Sequence, residues 1–153
     1  MIREDWDQLK HFFIHENWGC PEKMDFGLLK ALDIFRERID KPFIVNCGYA
    51  TSGHSPNSYH YKGEAVDGRF KSLNIFDQFF EALKEDSFKG VGLYIFENRP
   101  FLHLDIRKRE SKLIWYRDRE GIYHYDFGFE TLKSLSAITI PTAFADIAPT
   151  LID

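Results

Sequence analysis

Apolar positions divide the chain into short periodic segments. Trp6, Leu9 and Phe13 predict an opening helix over about 5–14, broken at Trp18-Gly19-Cys20-Pro21. Leu28, Leu32, Phe35 and Ile39 recur at the spacing of one helix face, and Asp40-Lys41-Pro42 ends that run. A buried strand is predicted from Phe43 to Cys47, and a second from Glu64 to Phe70. Between them, Gly48 to Gly63 loses all periodicity and reads as a long polar loop, a usual carrier of functional groups. Ile75 to Leu83 predicts a helix with Phe76, Phe79, Phe80 and Leu83 facing inward. Val91 to Phe96 and Phe101 to Ile106 predict strands joined at Glu97-Asn98-Arg99-Pro100. Leu113 to Tyr116 and Ile122 to Tyr125 predict another hairpin, and a short helix is expected near Phe129 to Leu135. From Ala137 onward no period survives, so 137–153 is read as an extension that wraps the body or stays mobile.

The expected class is α+β: a small, mainly antiparallel sheet with flanking helices. The 153 residues fit one domain with a real core. Aromatic residues, 16 % of the chain, are read mostly as packing material. The net charge of −4 and the lack of a basic stripe argue against nucleic-acid binding. Cys20 and Cys47 form no CxxC pair and are read as two buried thiols. The charged start MIREDWDQLK is unlike a signal peptide, and no apolar run reaches membrane-spanning length. A monomer made in the cytoplasm is expected, with release needed for any action on a cell wall.

The candidate chemistry lies at Ser58-Tyr59-His60-Tyr61-Lys62-Gly63-Glu64-Ala65-Val66-Asp67 and at Phe101-Leu102-His103-Leu104-Asp105. Strand alternation puts Ala65, Asp67 and Arg69 on one face, and His103 with Asp105 on one face of a later strand. A carboxylate inside an apolar strand needs a cation, because buried charge is costly unless paired or metal-bound. Two histidines and a carboxylate are a normal catalytic zinc set, with the fourth position open. Each residue also has an ordinary reading. His60 fits a surface loop, His103 a hydrogen-bonded core histidine, and Asp67 a salt bridge to Arg69 or Arg107. No short zinc signature such as HExxH is present. His11 and His15 read as a surface pair, and His124 as a structural or rim residue.

These two segments resemble the zinc D,D-peptidases, the fold shared by D-alanyl-D-alanine carboxypeptidases, some phage endolysins and the signalling domain of hedgehog proteins. The family pattern Ser-x-His, Gly, Ala-x-Asp is similar to Ser58, His60, Gly63, Ala65 and Asp67, and Gly90-Val91-Gly92-Leu93-Tyr94 precedes the strand of His103. Lys41 to Tyr49 is also similar, and the resemblance spans roughly residues 10 to 116. It implies His60, Asp67 and His103 as ligands of Zn2+. The acidic residue that many carboxypeptidases place three positions before the last histidine is Pro100 here. The hedgehog-type arrangement, six positions before, implies Glu97 as the catalytic base; alone, Glu97 also fits a solvated turn.

Asp105 matches a recurring aspartate and is assigned a supporting role, orienting a ligand imidazole or pairing with Arg107. Ser58 either binds substrate backbone or stabilises its loop. Ala50 stands where the family often has a substrate-binding arginine; Arg69, Arg99 and Arg107 are candidate replacements. The resemblance implies a zinc metallopeptidase acting on stem or cross-link peptides of peptidoglycan, as a D,D-carboxypeptidase or an endopeptidase. The alternative is a catalytically silent zinc domain that binds a glycan, peptide or protein partner.

Overall fold

The computed structural model describes residues 3–125 and 127–143, with side chains described from residue 4 to 137. The elements run α1 (Arg3–Trp6), α2 (Phe26–Ile39), β1 (Phe43–Cys47), β2 (Ala65–Phe70), α3 (Ile75–Leu83), β3 (Gly90–Tyr94), β4 (Phe101–Asp105), β5 (Leu113–Arg117), β6 (Tyr123–Tyr125) and α4 (Phe129–Ala143). Asp25 caps α2 by accepting from Leu28 N–H, and Asn74 caps α3 by accepting from Phe76 N–H.

The periodic middle of the chain follows its pattern. The opening does not. Only Arg3–Trp6 is helical, and Phe13 is exposed. Asp33, on α2, explains the difference. Its carboxylate accepts the backbone N–H of Lys10 at 3.0 Å and of His11 at 2.8 Å. Trp18 Nε1 also donates to the carbonyl of Phe13 at 2.8 Å. These long-range partners compete with the i→i−4 ladder of a helix. The segment becomes a loop that buries Trp6, Leu9, Phe12 and Trp18 instead.

The two expected strand pairs join into one six-stranded sheet, ordered β1-β2-β4-β3-β5-β6. It is mixed. β3 and β5 run parallel; every other pair is antiparallel. The free edge of β4 is taken by β2, so the chain leaving β4 crosses to the outer edge of β3. Expected helix Phe129 to Leu135 extends to Ala143. Beyond Ala143, the rest of the 137–153 extension lies outside the described residues.

One sheet face carries Val66, Val91, Leu93, Leu102 and Leu104, all buried in a single core with Leu28, Leu32, Phe35 and Phe79 of the helices. The opposite face carries Asp67, His103 and Asp105, with the loop between β1 and β2 folded beside it. Each strand therefore serves the core with alternate residues and the site with the others. Among the described residues, no helix is long and apolar enough to cross a membrane.

Candidate metal centre

The register of β2 against β4 sets Asp67 opposite His103 and Ala65 opposite Asp105. His60 arrives from a 3-10 turn, Tyr59–Lys62, in the polar loop. Ser58 caps that turn: its Oγ accepts from His60 N–H at 3.3 Å. Gly63 closes it in a left-handed conformation, φ 71°, that a side chain would strain. Loop stabilisation is thus the role visible for Ser58.

Three donor atoms converge. His60 Nε2 lies 3.2 Å from His103 Nδ1 and 3.2 Å from Asp67 Oδ1. His103 Nδ1 lies 2.9 Å from Asp67 Oδ1. A tetrahedral zinc, bound at about 2.0–2.1 Å to each ligand, separates its ligand atoms by about 3.3 Å. The triangle fits that geometry closely. The exposures of His60, Asp67 and His103 are 0 %, 9 % and 8 %. A carboxylate this buried requires a cation.

The outward nitrogens decide how the rings are used. His60 Nδ1 sits 2.6 Å from the carbonyl oxygen of Gly48. His103 Nε2 sits 3.0 Å from Asp105 Oδ2. Both outer partners are acceptors, so each ring donates its outer N–H and turns its other nitrogen inward. Once the inner nitrogens lose their protons, two lone pairs and a carboxylate oxygen face one point, a donor set for a cation; while protonated, those nitrogens donate to Asp67 instead. Metal-bound histidines are held in this manner, by a carbonyl or carboxylate on the far nitrogen.

Electrostatics agree in direction. Burial pushes the His60 imidazolium down, but hydrogen bonding to Asp67 and Cys47 outweighs it and holds the ring up at about 10. His103 is raised over the same opposing burial by Asp105 and Asp67. Burial would raise Asp67, yet the two histidines hold its carboxyl well below the usual range. The site attracts positive charge.

Asp105 touches both residues named for it. It accepts from the His103 ring and from Arg107, whose Nε donates to Oδ1 at 2.8 Å. Asp67 pairs with neither Arg69 nor Arg107; among the described residues its charged partners are His60 and His103. Gly90 of β3 stands opposite Asp105, and a Cβ there would overlap both carboxylate oxygens. Glycine is what lets Asp105 lie against the sheet.

Glu97 is placed differently. It follows β3, is exposed, and its Oε1 accepts from Arg117 Nη1 at 3.0 Å. It is not one of the converging metal-ligand groups. Tyr61 bridges the backbone of His54 through its hydroxyl, and Tyr59 packs under Arg107, so both hold the loop. His124 bonds Asp118 at 2.6 Å, away from the triad.

The structure adds two residues that sequence reasoning passed over. Cys47, His54 and His60 form a second group of potential ligands. A bulge between Val45 and Cys47 sets Cys47 opposite Asp67. His54 Nε2 lies 3.8 Å from Cys47 Sγ, and the His54 ring stacks on His60 with centroids 4.2 Å apart. Cys20 and Cys47 are free and half-buried rather than fully buried. The signal available in the sequence was a second histidine in the same polar loop.

Among the described residues, two side-chain groups that share His60 are therefore suited to a divalent ion such as zinc. No family model matches the chain, and no curated protein matches it.

Proposed function

We propose that this protein is a zinc-binding domain that uses its ion and the surrounding sheet face to engage a glycan, peptide or protein partner. The observation that carries the reading is the convergence of His60 Nε2, His103 Nδ1 and Asp67 Oδ1, with both outer ring nitrogens already held by acceptors. Three protein ligands leave a tetrahedral ion one position for an external group. The proposed fold family is that of the zinc D,D-peptidases and hedgehog signalling domains, on the motif spacing of residues 58–67 and 101–105.

A second reading, peptidase action on stem or cross-link peptides of peptidoglycan, is favoured by one observation. Glu97 follows β3, next to the strand that bears His103, and Arg117 holds its Oε1 at 3.0 Å. When bound, zinc supplies Lewis acidity toward a scissile carbonyl. In that reading Glu97 accepts a proton and returns it to the leaving amine. Arg117 already occupies Oε1, so Oε2 is the oxygen available for proton transfer.

Metal analysis after metal-free purification tests the shared claim; one tightly held zinc, absent from His103→Ala, is expected. Purified peptidoglycan then separates the readings. Retained zinc with no cleavage across varied wall substrates supports the binding domain. Cleavage that disappears in Glu97→Gln, with zinc retained, supports the peptidase.

A further inference from the structure

Away from the triad, a cleft of 720 Å³ opens between the chain leaving β2 and the turn joining β3 to β4. Arg69, Lys71, Arg99 and Arg119 line it, against a single carboxylate, Glu97. That carboxylate is already neutralised by Arg117 at 3.0 Å. Among the described residues, none of the four lining cations has an ion-pair partner. Arg119 instead lies over the Phe96 ring, 4.6 Å from its centroid, which fixes its guanidinium at the cleft wall. The chain as a whole is acidic, with a net charge of −4. Four like charges gathered in one concavity repel one another, and a surface under no constraint would disperse or pair them.

We infer that this cleft binds a small ligand bearing clustered oxyanions, phosphate or carboxylate. Guanidinium groups suit such ligands because their planar donors meet two oxygens at once. Arg69 is half-buried and lies two residues beyond Asp67 on the same face of β2. The bound anion would therefore sit beside the metal face without using its ligands. Arg117 acts as a positioning residue: by holding Glu97, it removes the one repulsive charge from the cleft. This site stands whether or not the triad takes zinc.

The test is calorimetric titration of the whole protein, dialysed against chelator, with pyrophosphate and separately with tricarballylate. Saturable binding that weakens with added salt is expected for at least one. Preference for pyrophosphate assigns a phosphate ligand; preference for tricarballylate assigns a carboxylate ligand. Arg69→Gln and Arg119→Gln should each weaken binding about tenfold. Arg109→Gln, outside the cleft, should leave it unchanged. Arg117→Gln should weaken binding although it lines no part of the cleft, because it frees the Glu97 charge. An unaltered circular dichroism spectrum and melting temperature keep each comparison valid for these exposed or half-exposed side chains. Failure of both anions to bind, or equal binding by the Arg69 and Arg119 variants, overturns the inference.

Discussion

Asp105 Oδ2 lies 3.0 Å from His103 Nε2, on the opposite side of the ring from Asp67 and His60. The carboxylate therefore sets the tautomer of His103 and aims Nδ1 at the other two donors. Arg107 grips the same carboxylate, so Asp105 is itself oriented. Asp105→Asn should lower zinc affinity by about 10–100-fold, the usual effect of losing such an outer partner. Competition with a chromophoric chelator measures this. Wild-type affinity in the variant would mean that Asp105 serves only to anchor Arg107.

Gly90 makes that placement of Asp105 physically available. A methyl group at residue 90 would overlap the carboxylate, and the neighbouring strands leave it no simple retreat. Gly90→Ala should therefore destabilise the fold by about 1–3 kcal/mol, as overpacking does. It should also weaken zinc binding by displacing Asp105. Urea unfolding and chelator competition read the two effects separately. Lost stability with undiminished zinc affinity would show that the sheet absorbs the methyl without moving Asp105.

The two ligand groups share His60 and so invite a direct comparison. The set with Asp67 and His103 is buried, and its imidazoles are locked from outside. Cys47 and His54 are half-buried, and the contacts of Cys47 Sγ to Gly48 O and to His54 are long, 3.6 Å and 3.8 Å. The first equivalent of cobalt(II) should therefore fill the oxygen–nitrogen site. Its spectrum should lack a thiolate charge-transfer band, and Cys47→Ser should leave it unchanged. A strong thiolate band at the first equivalent would reassign the primary centre to Cys47, His54 and His60.

What the sequence made legible was what depends on neighbours along the chain. The spacing of Leu28, Leu32, Phe35 and Ile39 located α2, and Ile75 to Leu83 matched α3 residue for residue. Alternation alone put His103 and Asp105 on one face of β4, where the structure joins them. The failures all involve distant partners. Asp33 captures the amides of Lys10 and His11, which no local period could reveal. The parallel pairing of β5 with β3 depends on which sheet edge is already occupied. His54 lies in a loop without periodicity, so only the folded loop shows that it stacks on His60. Glu97 was located on its turn, but its partner Arg117 is 20 positions away in the sequence.

The hairpin between β5 and β6 gives a pH prediction that is independent of the metal centre. Asp118 Oδ1 accepts from Glu120 N–H at 3.0 Å and Ile122 N–H at 2.8 Å, while Oδ2 accepts from His124. The hydrogen bond from His124 holds the Asp118 carboxyl below its ordinary range, aided by the backbone donor Ile122 despite some opposing desolvation. A folded-state value below the unfolded one means that the ion favours the fold. Its contribution is present above about pH 4, the ordinary aspartate value, and is lost as pH falls through the lower folded value. Amide exchange at Glu120 and Ile122 should therefore accelerate selectively in acid, after correction for intrinsic exchange. Asp118→Asn should show faster exchange already near neutral pH and little further selective change on acidification. If acid opens the core strands as readily as this turn in the wild type, Asp118 does not control the hairpin.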